Sequence, residues 1–173
     1  MKKHINIEIK ALSKNHDRVR KILNSKKADF LGTDHQVDTY FKVSDGRLKL
    51  REVDNKNHLI YYTRENKCGP KQSNITRTQV KDAASIKEIL EKALEVLTVV
   101  DKQREIYSID NVRFHIDTVR DLGTFIEIEA VDDTGKISKE VLYDQCQKYM
   151  KLFGIPEKDL VELSYSDLIL EKS

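Results

Sequence analysis

His4-Ile5-Asn6-Ile7-Glu8-Ile9-Lys10, near the start of the chain, and Phe125-Ile126-Glu127-Ile128-Glu129, near its end, decide the fold. Both alternate a polar residue with isoleucine at period two, so each reads as a strand with its charges on one face. The chain between them repeats the pattern. Arg47, Lys49 and Arg51 share one face of a strand at 47–53, and Tyr62 and Arg64 one face of 59–64. Lys102 and Arg104 share a face of 98–107, and Arg113, His115 and Asp117 a face of 111–119. The opposite faces carry Leu48, Leu50, Val112, Phe114, Ile116, Ile126 and Ile128. The strand at 98–107 is the exception, with Asp101, Gln103 and Glu105 opposite its cations.

Any one of these strands reads as an antiparallel strand with one face on a core and one in water. Their sum argues otherwise, because the polar faces are rich in Arg where Thr, Ser or Gln would serve a solvated sheet equally well. Eight cations (Lys10, Arg47, Lys49, Arg51, Arg64, Lys102, Arg104, Arg113) and four acids (Glu8, Asp117, Glu127, Glu129) can line one concave surface. If the sheet closes, its apolar face points outward and needs covering. Two helical stripes are available: Ile86, Ile89, Leu90, Ala93, Leu94 and Leu97 within 83–97, and Val141, Leu142, Cys146, Tyr149, Met150 and Phe153 within 138–153.

The remaining elements complete an α+β pattern. Ser13 is the expected cap of a helix bearing Val19, Ile22 and Leu23 and ending near Ala28. A strand is expected over 36–43, a weaker one over 73–80, and Ser85 with Glu88 forms a capping-box pattern. Gly154 stops the second long helix, Pro156 opens a short one, and the apolar tail from Leu163 to Leu170 docks on the domain. About eight strands with hairpin turns and no βαβ rhythm indicate a curled antiparallel sheet or barrel.

At 173 residues the chain is read as one domain, 1–173, with a sizeable core. Charged residues make up 35% of it, yet the net charge is only +2. No block of five like charges occurs, which argues against a nucleic-acid tail or a polybasic membrane anchor. No apolar run approaches the ~20 residues of a membrane span. The charged strand pattern begins almost at Met1, without an apolar signal region. Cys68 and Cys146 do not suggest a disulfide framework and are read as free thiols in a reducing cytosol, so a cytoplasmic protein is expected. The five histidines show no zinc-ligand pairing, and neither a P-loop nor Gly-x-Gly-x-x-Gly is present.

A charged interior is costly without a ligand, because many like charges repel in a partly desolvated space. A triphosphate supplies negative charge, Arg forks suit phosphate oxygens, and carboxylates hold Mg²⁺ or Mn²⁺ against them.

These residues resemble the CYTH family, or triphosphate tunnel metalloenzymes, which includes class IV adenylate cyclases and thiamine triphosphatases. The family's Glu-x-Glu-x-Lys signature stands here as Asn6-Ile7-Glu8-Ile9-Lys10. The likeness continues through Asp38-Thr39-Tyr40-Phe41, Gly46-Arg47-Leu48-Lys49-Leu50-Arg51-Glu52, Gly69-Pro70-Lys71, Lys102-Gln103-Arg104, Asp117, Leu122-Gly123, Glu127-Ile128-Glu129 and Ser164-Tyr165-Ser166-Asp167-Leu168. The later pieces are most similar to the class IV cyclase branch. The resemblance implies a closed eight-stranded antiparallel β-barrel, a triphosphate tunnel, with helices packed outside. It implies Glu8, Asp117, Glu127 and Glu129 as ligands of Mg²⁺ or Mn²⁺. Lys10, Arg47, Lys49, Arg51, Arg64, Lys102, Arg104 and Arg113 would bind phosphates, with Lys10, Tyr40 and Arg51 as catalytic residues. The implied partner is ATP or another triphosphate-containing small molecule, with no nucleic acid and no membrane; an apolar edge strand is compatible with a homodimer. The implied reaction is cyclisation of ATP to 3′,5′-cyclic AMP and pyrophosphate. The alternatives are hydrolysis of inorganic, thiamine or nucleoside triphosphate, and non-catalytic binding of a polyphosphate. Asn6 departs from the signature: it offers a carbonyl oxygen but no charge, which weakens a second metal site more than a first.

Overall fold

The computed structural model describes residues 5–54, 56–64 and 69–172, with the side chains of Ile5 and Arg64 outside that description. Eight strands run β1 (Ile5–Leu12), β2 (Asp29–Phe41), β3 (Arg47–Glu52), β4 (His58–Arg64), β5 (Lys71–Gln79), β6 (Val96–Ile109), β7 (Val112–Val119) and β8 (Gly123–Asp132). They close into a barrel in the order β1-β5-β4-β3-β2-β6-β7-β8. Every neighbouring pair is antiparallel, and the two end strands meet, with Glu8 opposite Glu129 and Lys10 opposite Glu127.

The alternation is inside out. Ile7 and Ile9 of β1, Ile126 and Ile128 of β8 and the apolar face of β7 point away from the barrel axis into a core roofed by α1 (His16–Ser25) and α3 (Lys139–Phe153). Phe114 is wholly buried there and meets Tyr149 and Phe153 edge-on, with ring centroids 4.7 and 5.5 Å away. Cys146 lies in the same core, and burial pushes its thiol up to about 12. On the other side α2 (Ala83–Ala93) covers Phe41, Leu48 and Leu50 with Ile86 and Leu90. Among the described residues no helix is long and apolar enough to cross a membrane.

A third apolar cluster lies inside the barrel, at one end. Tyr40, Ile60, Tyr62, Val100, Val119 and Phe125 converge there on Tyr165, the first residue of α4 (Tyr165–Lys172). The Tyr165 and Phe125 rings lie 4.9 Å apart. The C-terminal tail thus docks as expected, and it does so by closing one end of the barrel.

Several boundaries differ from the sequence reading, each for a local reason. The first helix is capped by Asn15, whose side chain accepts from the Arg18 amide, and it ends at Ser25. Ser13 instead exchanges hydrogen bonds with Thr124. Asp82 caps α2 through the Ser85 amide, and the helix stops because Leu94 is extended. Leu97 therefore belongs to β6 and is substantially exposed, as is Val141 on α3. The largest difference is β2, which begins at Asp29 rather than Gln36. Its first half pairs with β6 across a register shift between Phe30 and Gly32, where Gly32 has φ +129. Asp29, Gly32 and Asp34 hide this segment from a propensity reading.

Phe114→Ala removes the ring on which two α3 aromatics rest and is expected to cost about 3–5 kcal/mol. An unfolding free energy, read from urea denaturation, lowered by less than a third of that would show the outer core to be less tightly packed than described.

Candidate active site

The barrel encloses a cavity of about 480 Å³ lined mainly by charged side chains. A hollow of about 720 Å³ on the outside of α1 is lined by that helix and its lead-in alone, and few of its polar groups converge. The interior site is built by strand periodicity: every second residue of each strand faces the axis.

The strands order these groups by depth. Along β8 the sequence runs from Phe125, in the apolar plug, through Glu127 to Glu129; at about 3.3 Å per residue Glu129 lies about 13 Å beyond Phe125. Along β6 it runs from Val100 in the plug through Lys102 and Arg104 to Ile106. Along β1 it runs from Lys10, whose Nζ lies 3.9 Å from the Tyr165 ring centroid, through Glu8 to Asn6. Lys10, Lys49 and Lys102 therefore lie toward the closed end, Glu127 stands opposite Lys10, and Glu8 and Glu129 pair nearer the mouth, with Arg113 opposite Glu129. Leu31 joins the lining because the β2 bulge turns it inward, and Ile75 and Ile106 line the cavity with it beside Asp34 and Gln36.

Two ion clusters hold the charges. In the first, Asp38 is 1% exposed and binds Arg51 through two bonds of 2.7 Å, Lys49 at 2.8 Å and Lys102 at 3.1 Å. Burial alone would raise the Asp38 carboxyl; Arg51, Lys102 and Lys49 outweigh it and hold it well below the usual carboxylate range. Burial pushes Lys102 down to about 7, aided by Arg51, Arg104 and Lys49 and opposed by Asp38. Lys49 also donates to the Tyr40 hydroxyl at 3.2 Å, and burial and Asp38 raise that phenol. In the second cluster Arg104 forks onto Asp117 at 2.7 and 2.5 Å and reaches Glu127 at 2.6 Å. The Tyr165 hydroxyl donates to Asp117 at 2.7 Å. Lys10 lies 3.4 Å from Glu127, and the His115 Nδ1 lies 3.3 Å from it. Burial would raise Glu127, but Arg104 and then Lys10 hold it well below its usual range.

Of the residues expected from sequence, Glu8, Lys10, Tyr40, Lys49, Arg51, Lys102, Arg104, Arg113, Glu127 and Glu129 line this cavity. Arg47 does not: it lies at the closed end, bound to Asp167 of α4 at 2.8 Å. Asp117 is fully buried behind the lining, with both oxygens engaged. The Arg64 side chain and Cys68 lie outside the described residues. Glu129 accepts from the Asn6 amide, while Asn6 Oδ1 is buried without a partner. Among the described residues no three His, Cys, Asp or Glu side chains are gathered on one point.

Sequence reasoning missed Asp38 as a site residue, although it stands two residues before Tyr40 on the same face. It also missed Lys71, which is fully buried and donates to the carbonyls of Val161 at 3.0 Å and Glu162 at 2.6 Å. Tyr165, read as tail packing, is also a wall of the site.

A CYTH domain model matches residues 4–165. A Methanocaldococcus jannaschii protein named "putative adenylate cyclase" is 25% identical over 179 residues, covering 95% of this chain and 98% of that one. Among solved structures, a protein from Pyrococcus horikoshii superposes with a TM-score of 0.80 at 25% identity, covering 94% of this chain and 98% of its own. A Hippeastrum protein, described as a "putative adenylyl cyclase" with "a dominant triphosphatase activity", superposes with a TM-score of 0.66 at 15% identity, covering 98% and 95%. At that identity the likeness is one of fold. With its tunnel closed by eight antiparallel strands and a family match spanning nearly its whole length, the chain belongs to the CYTH domain family.

Proposed function

We propose that this protein is a divalent-metal-dependent enzyme converting ATP to 3′,5′-cyclic AMP and pyrophosphate. The observation that carries this reading is the order of groups along a tunnel with one closed end. A triphosphate ester must enter phosphates first, because the other end is filled by Tyr165 and the apolar plug. Its terminal phosphates then lie among Lys10, Lys49 and Lys102, and its α-phosphate lies near Glu129 and Glu8, with Glu127 between the two groups. The organic group is left at the mouth, where Leu31, Ile75 and Ile106 offer apolar contact and Asp34 and Gln36 offer polar contact.

The donor set suits a hard cation such as Mg²⁺ or Mn²⁺. Glu8, Glu127, Glu129 and the Asn6 carbonyl present only oxygen, and Asn6 Oδ1 is a buried acceptor lacking a donor. Those residues would hold the metal, which when bound supplies Lewis-acid charge at the phosphate. Asn6 adds no charge, so a second cation has the weaker site. In this reading Asp117 is a positioning residue that fixes the Arg104 fork, rather than a ligand.

The chain's own residues then orient and neutralise. Arg104, forked onto Asp117, and Arg51, forked onto Asp38, keep their remaining N–H groups for the triphosphate and hold it extended. The ribose 3′-oxygen forms a bond to the α-phosphorus as the bond from that phosphorus to the α–β bridging oxygen breaks. The hydroxyl proton leaves to solvent at the mouth. The charge developing on pyrophosphate falls among Lys10, Lys49 and Lys102. A second reading, hydrolysis of the terminal phosphate, is favoured by one feature: the Tyr40 hydroxyl and Lys49 stand together at the closed end, where they could orient a water.

Incubation with ATP and Mn²⁺ is expected to release cyclic AMP and pyrophosphate in equal amounts; orthophosphate without cyclic product would favour the second reading, and no product at all would overturn both. Glu129→Ala is expected to lower turnover by about 100-fold or more, and near-normal activity would remove it from the metal site.

Lys102 gives the tunnel a pH signature. An unfolded lysine titrates near 10.4, whereas the folded group titrates at about 7. Between those values the unfolded chain holds a proton that the folded chain has released, so this group's contribution to stability rises with pH across that window and is least below pH 7. A bound polyphosphate restores the charge. Triphosphate binding at pH 8 is therefore expected to take up protons, and calorimetry in buffers of different ionisation enthalpy should show an uptake that Lys102→Met removes.

A further inference from the structure

We infer that Asp38 is a positioning residue that gathers the cations of the tunnel and sets how tightly the tunnel holds a polyphosphate. This rests on reading the tunnel as a polyphosphate site. Asp38 pairs with Arg51 on β3 and with Val100 on β6, so it lies between the strands that carry its three cationic partners. Its two oxygens accept four charge-assisted bonds of 2.7–3.1 Å from Lys49, Arg51 and Lys102. Few arrangements draw three cations onto one buried carboxylate, because the cluster keeps an excess of positive charge away from water. It persists here because the carboxylate offsets part of the repulsion and aims the donors to one point. Apart from the bond from Lys49 to the Tyr40 hydroxyl, donors of this cluster remain. A lysine carries three and an arginine five, and Asp38 uses one from each lysine and two from Arg51. A phosphate can therefore join the cluster without displacing Asp38.

The consequence is a trade. Asp38 orients the array, but its charge repels the polyanion that the array binds. Without that charge the tunnel holds triphosphate more tightly and gives up pyrophosphate more slowly. A purely structural Asp38 predicts the opposite sign, since a disordered array would bind more weakly.

The test is calorimetric titration of inorganic triphosphate and of pyrophosphate at pH 6.5 with Mg²⁺, beside steady-state kinetics. Asp38→Asn is expected to tighten both ligands at least about tenfold and to lower kcat, so that KM and kcat fall together. Because the single variant can be poorly folded, Asp38→Asn is also combined with Lys102→Met, which removes one cation with the anion and restores the local net charge. The double variant is expected to bind at least about tenfold more weakly than Asp38→Asn alone, because a phosphate-binding cation has gone with the anion. Unchanged or weaker binding by the single variant, or binding by the double variant as tight as by the single one, would overturn the role given to Asp38 alone. Absence of triphosphate binding by the unaltered protein would overturn the tunnel reading itself.

Discussion

The Arg104 guanidinium, held between Asp117 and Glu127, is the contact on which the rest of the structure depends. A charged group inside a sheet is tolerable only when its partners replace the water it loses. Arg104 meets this condition with three bonds of 2.5–2.7 Å, and Asp38 does the same for Lys49, Arg51 and Lys102. With the charges satisfied inward, the alternate side chains must be apolar and must be covered from outside. The three helices on the barrel wall follow from that requirement, as does the dense aromatic packing of Phe114 beneath α3.

The tail ties this wall to the site. Tyr165 closes one end, bonds Asp117 and lies beneath Lys10, while the carbonyls just before it receive Lys71 and Lys10. Closing that end gives the tunnel a direction. Lys10, Lys49 and Lys102 lie toward the blind end, and Glu8 and Glu129 pair nearer the mouth.

Much of the site was legible because strand periodicity is strict. Two residues per repeat means that Lys102 facing the axis brings Arg104 with it, and Glu127 brings Glu129. What escaped the reading lacked a periodic partner. Asp38 is a lone acid in Val37-Asp38-Thr39-Tyr40-Phe41, where its neighbours are all good strand formers and nothing local marks one face as charged. Lys71 follows Gly69-Pro70, which reads as a break, yet it begins β5. The first half of β2 is disguised by Gly32 and a bulge, and the bulge is what brings Leu31 to the mouth.

The sequence by itself determined that there are eight strands, which side of β1, β3, β7 and β8 is charged, and which helices have apolar stripes to cover the barrel, because these depend on periods of two and 3.6 that each segment carries alone. Only the tertiary structure decided which charges meet. Asp117, read as a metal ligand, has its oxygens on Arg104 and Tyr165, and Arg47, read as a phosphate ligand, stands beside Asp167. Pairings of that kind join residues 48 and 120 positions apart, and they arise from barrel closure and the seat of the C-terminal helix, which no local pattern encodes.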